Sequence, residues 1–159
     1  MKYRRIFENG YSYFLTLVTH ERKPILIEHI EDLRQAFVYS KKNYEYKIDA
    51  IVVLPDHLHM IIRPKRADEY PKIISNIKRA FVYRTVGRGV PTPKIKDPKI
   101  ELSPSKYKRK HAGIWQERYY EHTIRDEKDW LEKMEYIKFN PVKHQWVEDI
   151  RDWQYSSFS

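Results

Sequence analysis

The chain has 159 residues, 31 Lys+Arg against 22 Asp+Glu for a net charge of +9, and no cysteine. That length fits one ordinary domain spanning 1–159, and 41% hydrophobic with 14% aromatic residues excludes a disordered or collagen-like chain. The absence of cysteine excludes a disulfide framework, a thiolate zinc site and a cysteine nucleophile, and no run approaches the ~20 apolar residues of a membrane span. A soluble cytoplasmic protein is the expectation.

The elements follow in chain order. Tyr11, Tyr13, Leu15 and Leu17 alternate with Ser12, Phe14, Thr16 and Val18, the pattern of a strand buried on one face and partly on the other. Ile27, Ile30, Leu33, Phe37, Val38 and Tyr44 recur at helical spacing among charged residues. Ile48 to Leu54 is a short apolar run, Pro55-Asp56 supplies turn chemistry, and His57 to Arg63 alternates again, predicting an antiparallel hairpin. Asp68 is a candidate cap for a second helix with Ile73, Ile74, Ile77 and Phe81 on its core side and Lys72, Asn76, Arg79 and Tyr83 along another stripe.

From about 87 to 113 the periodicity gives way to a basic Pro- and Gly-containing loop carrying Lys106, Lys108, Arg109 and Lys110. Ile114 to Ile124 reads as a fourth strand. Asp126 caps a last helix with Trp130, Leu131, Met134 and Ile137 inward, ended at Asn140 by Pro141. The aromatic tail, about 142–159, brings Trp146, Trp153, Tyr155 and Phe158 to pack on the body. The order strand, helix, strand, strand, helix, strand, helix predicts an α+β fold: a ferredoxin-like, split βαβ sandwich with an antiparallel sheet.

Charge is unevenly spread. Residues 63–118 hold 16 Lys+Arg and 5 Asp+Glu, so this segment owns the whole positive imbalance. Such a concentrated field attracts polyanions, nucleic acid above all, although a solvated face would carry charge in the same way.

Chemistry gathers at two places. On a strand, Leu58, Met60 and Ile62 point to one face while His57 and His59 share the other, about 7 Å apart along the chain. Two neutral imidazoles on a rigid strand can bind a divalent metal, but a His-x-His pair also arises by chance in a chain with 7 histidines. Tyr136 and Asn140, at i and i+4 on the last helix, offer a hydroxyl and an amide on one side. Alone they read as a rim tyrosine and a helix-ending asparagine; with the His pair they offer a nucleophile and a further metal donor.

The run Val53-Leu54-Pro55-Asp56-His57-Leu58-His59-Met60 resembles the His-hydrophobic-His motif of HUH single-strand endonucleases. Tyr136-Ile137-Lys138-Phe139-Asn140-Pro141-Val142-Lys143-His144 resembles the nucleophile helix of single-tyrosine transposases, most nearly the REP-associated ones. Further matches are Trp115-Gln116-Glu117-Arg118-Tyr119-Tyr120-Glu121-His122, Ile124-Arg125-Asp126, and Asp152-Trp153-Gln154-Tyr155-Ser156-Ser157-Phe158, so the likeness runs from about Tyr3 to Phe158. It departs from many insertion-sequence relatives in having Asn140 where they carry Gln.

The resemblance implies Tyr136 as catalytic nucleophile, with His57, His59 and Asn140 as ligands of a Mg²⁺ or Mn²⁺ cofactor. It implies a metal-dependent enzyme that cleaves and rejoins single-stranded DNA at hairpin flanks through a 5′-phosphotyrosine, in DNA transposition and recombination. A tyrosine hydroxyl, with an ordinary pKa of ~10, needs such a metal or a base to act at neutral pH. DNA contacts are expected from Lys72, Arg79, Lys106, Lys108, Arg109, Lys110 and Trp115, with Tyr119 and Tyr120 as further stacking candidates and core packing as the competing role of each aromatic. The protein is expected to be nucleoid-associated, as a monomer or as a homodimer with a trans active site. The alternative is a non-catalytic module that binds single-stranded nucleic acid on the same fold.

Overall fold

A computed structural model describes residues 11–86 and 113–159. Its elements are β1 (Ser12–Val18), α1 (Ile30–Asn43), β2 (Tyr46–Val53), β3 (His57–Pro64), α2 (Tyr70–Val86), β4 (Tyr120–Ile124) and α3 (Glu127–Lys143). The strands form one sheet in the order β2-β3-β1-β4, every neighbouring pair antiparallel. This is the expected ferredoxin-like α+β sandwich. None of the helices among the described residues is long and apolar enough to cross a membrane.

The alternation in β1 explains why the sheet carries helices on both faces. Tyr13, Leu15 and Leu17 enter a large core with Leu58, Met60 and Ile62 of β3, Leu33 and Ala36 of α1, and Ile73, Ile74, Ile77 and Phe81 of α2. Phe14 turns the other way, into a smaller core with Ala50, Val52, Ile61, Ile124 and Ile137 of α3, against which Trp130 and Met134 pack. The sheet is thus the middle of three layers, with α1 and α2 on one side and α3 on the other.

Several local features differ from expectation. Asp68 caps nothing: it lies in a 3-10 turn, Ala67–Glu69, its carboxylate 3.7 Å from Arg66 Nε. The helix α2 follows at Tyr70 with Pro71 in its first turn, where a missing N–H is harmless. The fourth strand is confined to Tyr120–Ile124, because Trp115 makes only an isolated bridge to Thr19 and turns its indole into the core against Phe81. Leu131 is 51% exposed, since the inward stripe of α3 runs through Trp130, Met134 and Ile137 and residue 131 lies ~100° round the helix.

Pro141 does not end α3, which continues to Lys143. Proline removes one helical hydrogen bond, but Ile137, Asn140 and Pro141 are buried and the last turn is closed by a Schellman pair. Trp146 N–H donates to the Pro141 carbonyl and Gln145 N–H to that of Val142, each at 2.9 Å. Closure requires Gln145 at φ 62°, a left-handed position that favours glycine. Gln145→Gly is therefore expected to stabilise the protein by about 0.5–1 kcal/mol, raising the thermal midpoint by about 1–4 °C; a lower midpoint would contradict this.

The tail packs back as expected. Tyr155 accepts from Val53 N–H at 2.8 Å and Ser157 donates to the Ile51 carbonyl at 2.9 Å, giving the free edge of β2 a partner. Trp153 Nε1 donates to the Val53 carbonyl at 2.9 Å, and Trp146 lies against Trp153 with ring centroids 5.7 Å apart.

Candidate active site

The odd residues of β3 face α3. With Leu58, Met60 and Ile62 buried in the larger core and Ile61 in the smaller, alternation brings His57 and His59 to the α3 face, their ring centroids 4.9 Å apart and both side chains buried. The helix is held across them at two levels. Near its start, Trp130 Nε1 donates to Asp49 at 3.3 Å, and Asp49 takes an ion pair from Arg63 of β3 at 2.9 Å. Asp49 stands where a bulge shifts the β2–β3 register between Ile48 and Ala50. Two turns further on, the Tyr136 ring meets His59 edge to face at 5.1 Å and Phe14 at 5.7 Å. Phe14 also stacks on His59, with centroids 5.6 Å apart.

Each imidazole is held through Nδ1. Asp56 Oδ1 lies 2.6 Å from His57 Nδ1, and Asp56 Oδ2 accepts from Arg22 Nε at 2.9 Å. Glu21 and Arg22 both have left-handed φ of 56°, a conformation costly for residues with a Cβ, in the turn that delivers the guanidinium. Thr16 Oγ1 lies 2.7 Å from His59 Nδ1, directly across the β1–β3 register. This partnering fixes ring orientation and reserves Nε2 for another role.

Burial pushes the His57 pKa below 6.5, partly offset by the Asp56 carboxylate, and pushes that of His59 down to about 3 with help from the His57 charge. For Asp56, burial is outweighed by the hydrogen bond and charge of His57, and its pKa is lowered. His59 is thus neutral at pH 7, as a metal-binding imidazole must be. Unfolded, the same ring takes a proton near its ordinary 6.5, so the unfolded state binds more protons as pH falls from there toward 3. Stability of the metal-free protein is expected to drop between pH 7 and 5 by up to about 1.4 kcal/mol per pH unit from this group. Urea unfolding checks this, and His59→Gln should flatten the dependence; equal midpoints at both pH values would contradict it.

Among the described residues, His59 Nε2 and both amide atoms of Asn140 are buried and have no hydrogen-bond partner. Such orphans are rare and call for a partner that hydrogen bonding within the protein does not provide. Among the described residues, no group of three or more His, Cys, Asp or Glu side chains could hold a metal. A metal here would need a donor of another kind, and the Asn140 amide oxygen, one helical turn beyond Tyr136, is of the right type. The donor set of two neutral imidazoles and an amide oxygen fits a divalent cation.

Other expected site residues lie elsewhere. Trp115 is 1% exposed in the larger core and is no stacking surface for DNA. Lys72 and Arg79 are exposed on α2, across the sheet from α3, so they do not line a path beside Tyr136. Arg79 instead borders a groove of about 460 Å³ with Gln35, Tyr39, Asn76 and Tyr83. Lys106, Lys108, Arg109 and Lys110 fall outside the described residues. The neighbours that sequence reasoning missed are Phe14, Thr16, Arg22, Asp56, Lys143 and His144. Lys143 Nζ stands 5.2 Å from the Tyr136 ring centroid, and the His144 ring lies 5.8 Å from that of His57. Both follow Asn140 closely, Lys143 as the last residue of α3 and His144 as its C-cap, at the end of the run from Tyr136 to His144.

Comparison with known proteins gives the family. The profile of the family described as "Transposase IS200 like" matches residues 8–91, over half the chain, including the His pair. Relatives extend the match through α3: a REP-associated tyrosine transposase of Escherichia coli (strain K12) is 31% identical over 99% of this chain and 82% of its own length. A Haemophilus influenzae protein assigned to the same group is 37% identical over 98% of this chain and 84% of that one. The chain belongs to the IS200-like transposases, in the branch of the REP-associated tyrosine transposases. A solved structure of a REP-associated tyrosine transposase bound to a REP hairpin superposes with a TM-score of 0.74 at 31% identity, over 99% of this chain and 82% of that one.

Proposed function

We propose that this protein cleaves and rejoins single-stranded DNA at hairpin-flanked sites through a 5′-phosphotyrosine on Tyr136, with Mg²⁺ or Mn²⁺ bound by His57, His59 and Asn140. The observation that carries the reading is the Tyr136 ring packed against His59 within one chain, with His59 Nε2 and the Asn140 amide atoms each buried and unpartnered among the described residues. The relative bound to a REP hairpin supports DNA of that kind as substrate.

His57, His59 and Asn140 would hold the cation, which when bound would supply positive charge to polarise the scissile phosphate. Tyr136 is 36% exposed while its ring is clamped by Phe14 and His59. The hydroxyl gives up its proton to solvent, its oxygen bonds to phosphorus, and the bond from phosphorus to the 3′ oxygen breaks. That oxygen takes a proton and leaves as a 3′-OH. The phosphotyrosine retains the energy of a phosphodiester, so a 3′-OH from another strand can reverse the step without ATP. Lys143 holds its ammonium over the Tyr136 ring, 5.2 Å from the centroid. Because one chain supplies both the His pair and the tyrosine, the reading needs no second subunit.

The test is incubation of an oligonucleotide carrying a hairpin with single-stranded flanks, with protein and Mn²⁺. Cleavage that leaves a free 3′-OH and a protein-blocked 5′ end supports the reading. Tight, salt-sensitive binding with no cleavage under either metal would point instead to a binding module.

A further inference from the structure

We propose that Tyr120 is a stacking platform for a nucleobase flanking the scissile phosphate, an inference that rests on the active-site reading above. It follows from the β-sheet register. Thr16 of β1 pairs with His59 on one side and with Tyr120 on the other. Directly paired residues share a face of the sheet, so His59, Thr16 and Tyr120 form one cross-strand row on the α3 side. Two interstrand steps separate the ends of that row, about 10 Å.

Phe14 ties the row to the nucleophile. Its ring touches His59, Tyr136 and, edge to face at 6.1 Å, Tyr120. The two tyrosines therefore flank one buried phenylalanine, and both reach the surface: Tyr136 is 36% and Tyr120 56% exposed. An aromatic ring open to solvent and packed on the same phenylalanine as the nucleophile's ring has the chemistry single-stranded DNA uses for sequence-tolerant base stacking. The other aromatics of the same block do not. Trp115 is core, and Tyr119 packs against the larger core on the opposite face, beneath the Lys78 ammonium 5.3 Å from its ring centroid. The stacking role expected of Trp115 passes to Tyr120.

The probe is a hairpin oligonucleotide with 2-aminopurine at the nucleotide on either side of the position cleaved by the wild-type protein. Fluorescence is read on binding to Tyr136→Phe protein, which cannot form the covalent product. Quenching is expected at one of the two positions, retained in Tyr120→Phe and lost in Tyr120→Ala and Tyr120→Leu, with affinity about tenfold weaker. Leucine keeps bulk without a π-face, and thermal unfolding confirms that the variants are folded. Cleavage by wild type combined with quenching and affinity unchanged in both variants would overturn the role of Tyr120 alone. Absence of cleavage by wild type would overturn the active-site reading and this inference with it.

Discussion

Tyr136→Phe is expected to abolish the covalent protein–DNA product, slowing its formation by at least about a thousandfold, while DNA binding changes less than about threefold. The substitution removes one oxygen and keeps the ring, so the contacts with Phe14 at 5.7 Å, His59 at 5.1 Å and Lys143 at 5.2 Å remain. Among the described residues the hydroxyl has no hydrogen-bond partner, so the thermal midpoint should hold within about 2 °C. A denaturing gel of protein with labelled hairpin DNA and Mn²⁺ separates the outcomes. A shifted, detergent-resistant band from the Phe variant would show that another group attacks the phosphate.

His59→Ala is expected to have the next largest effect: Mn²⁺ affinity lower by more than about a hundredfold, and cleavage lost with it. His59 is buried between the stacked Phe14 ring and the Tyr136 edge, and its free Nε2 is enclosed. Alanine removes a donor and also leaves a cavity beneath the nucleophile, so activity alone would not distinguish the two causes. Direct Mn²⁺ titration by electron paramagnetic resonance does. Thr16→Val, which keeps the imidazole but removes the hydroxyl 2.7 Å from Nδ1, is expected to weaken Mn²⁺ by about 10–100-fold. Unchanged Mn²⁺ affinity in His59→Ala would mean that the buried pair serves only to pack the site.

Much of this arrangement was legible in the chain, for reasons that periodicity explains. Alternation in β1 placed Tyr13, Leu15 and Leu17 on one face and Phe14 on the other, and alternation in β3 put the two histidines together. Spacing of four on a helix put Asn140 one turn from Tyr136. What periodicity cannot supply is the layer to which a face belongs. Lys72 and Arg79 do lie on an exposed stripe of α2, but that helix packs on the side of the sheet opposite α3, a consequence of pairings distant in sequence. Non-local pairing also hid the role of Thr16, and a competing turn role hid that of Asp56. The partner of His59 lies 43 residues away across the β1–β3 register, and the Asp56 carboxylate, first read as turn chemistry, holds the adjacent ring.

Trp115 and Pro141 were misplaced for a different reason. A tryptophan beside basic residues suits both a DNA surface and a core, and its burial against Phe81 is decided by how segment 114–116 bridges to the end of β1. Proline ordinarily stops a helix, but a buried stripe and a Schellman closure carry α3 on to Lys143, bringing that ammonium over the tyrosine.

In the proposed chemistry one tyrosine of this chain carries the DNA. It is tested most directly by digesting the covalent product with protease and nuclease and locating the nucleotide by mass spectrometry. A residual 5′-linked nucleotide is expected on the peptide containing Tyr136, formed by wild type in Mg²⁺ or Mn²⁺. The chain has 13 tyrosines; a nucleotide on any of the other twelve, or on a residue of another kind, would contradict it.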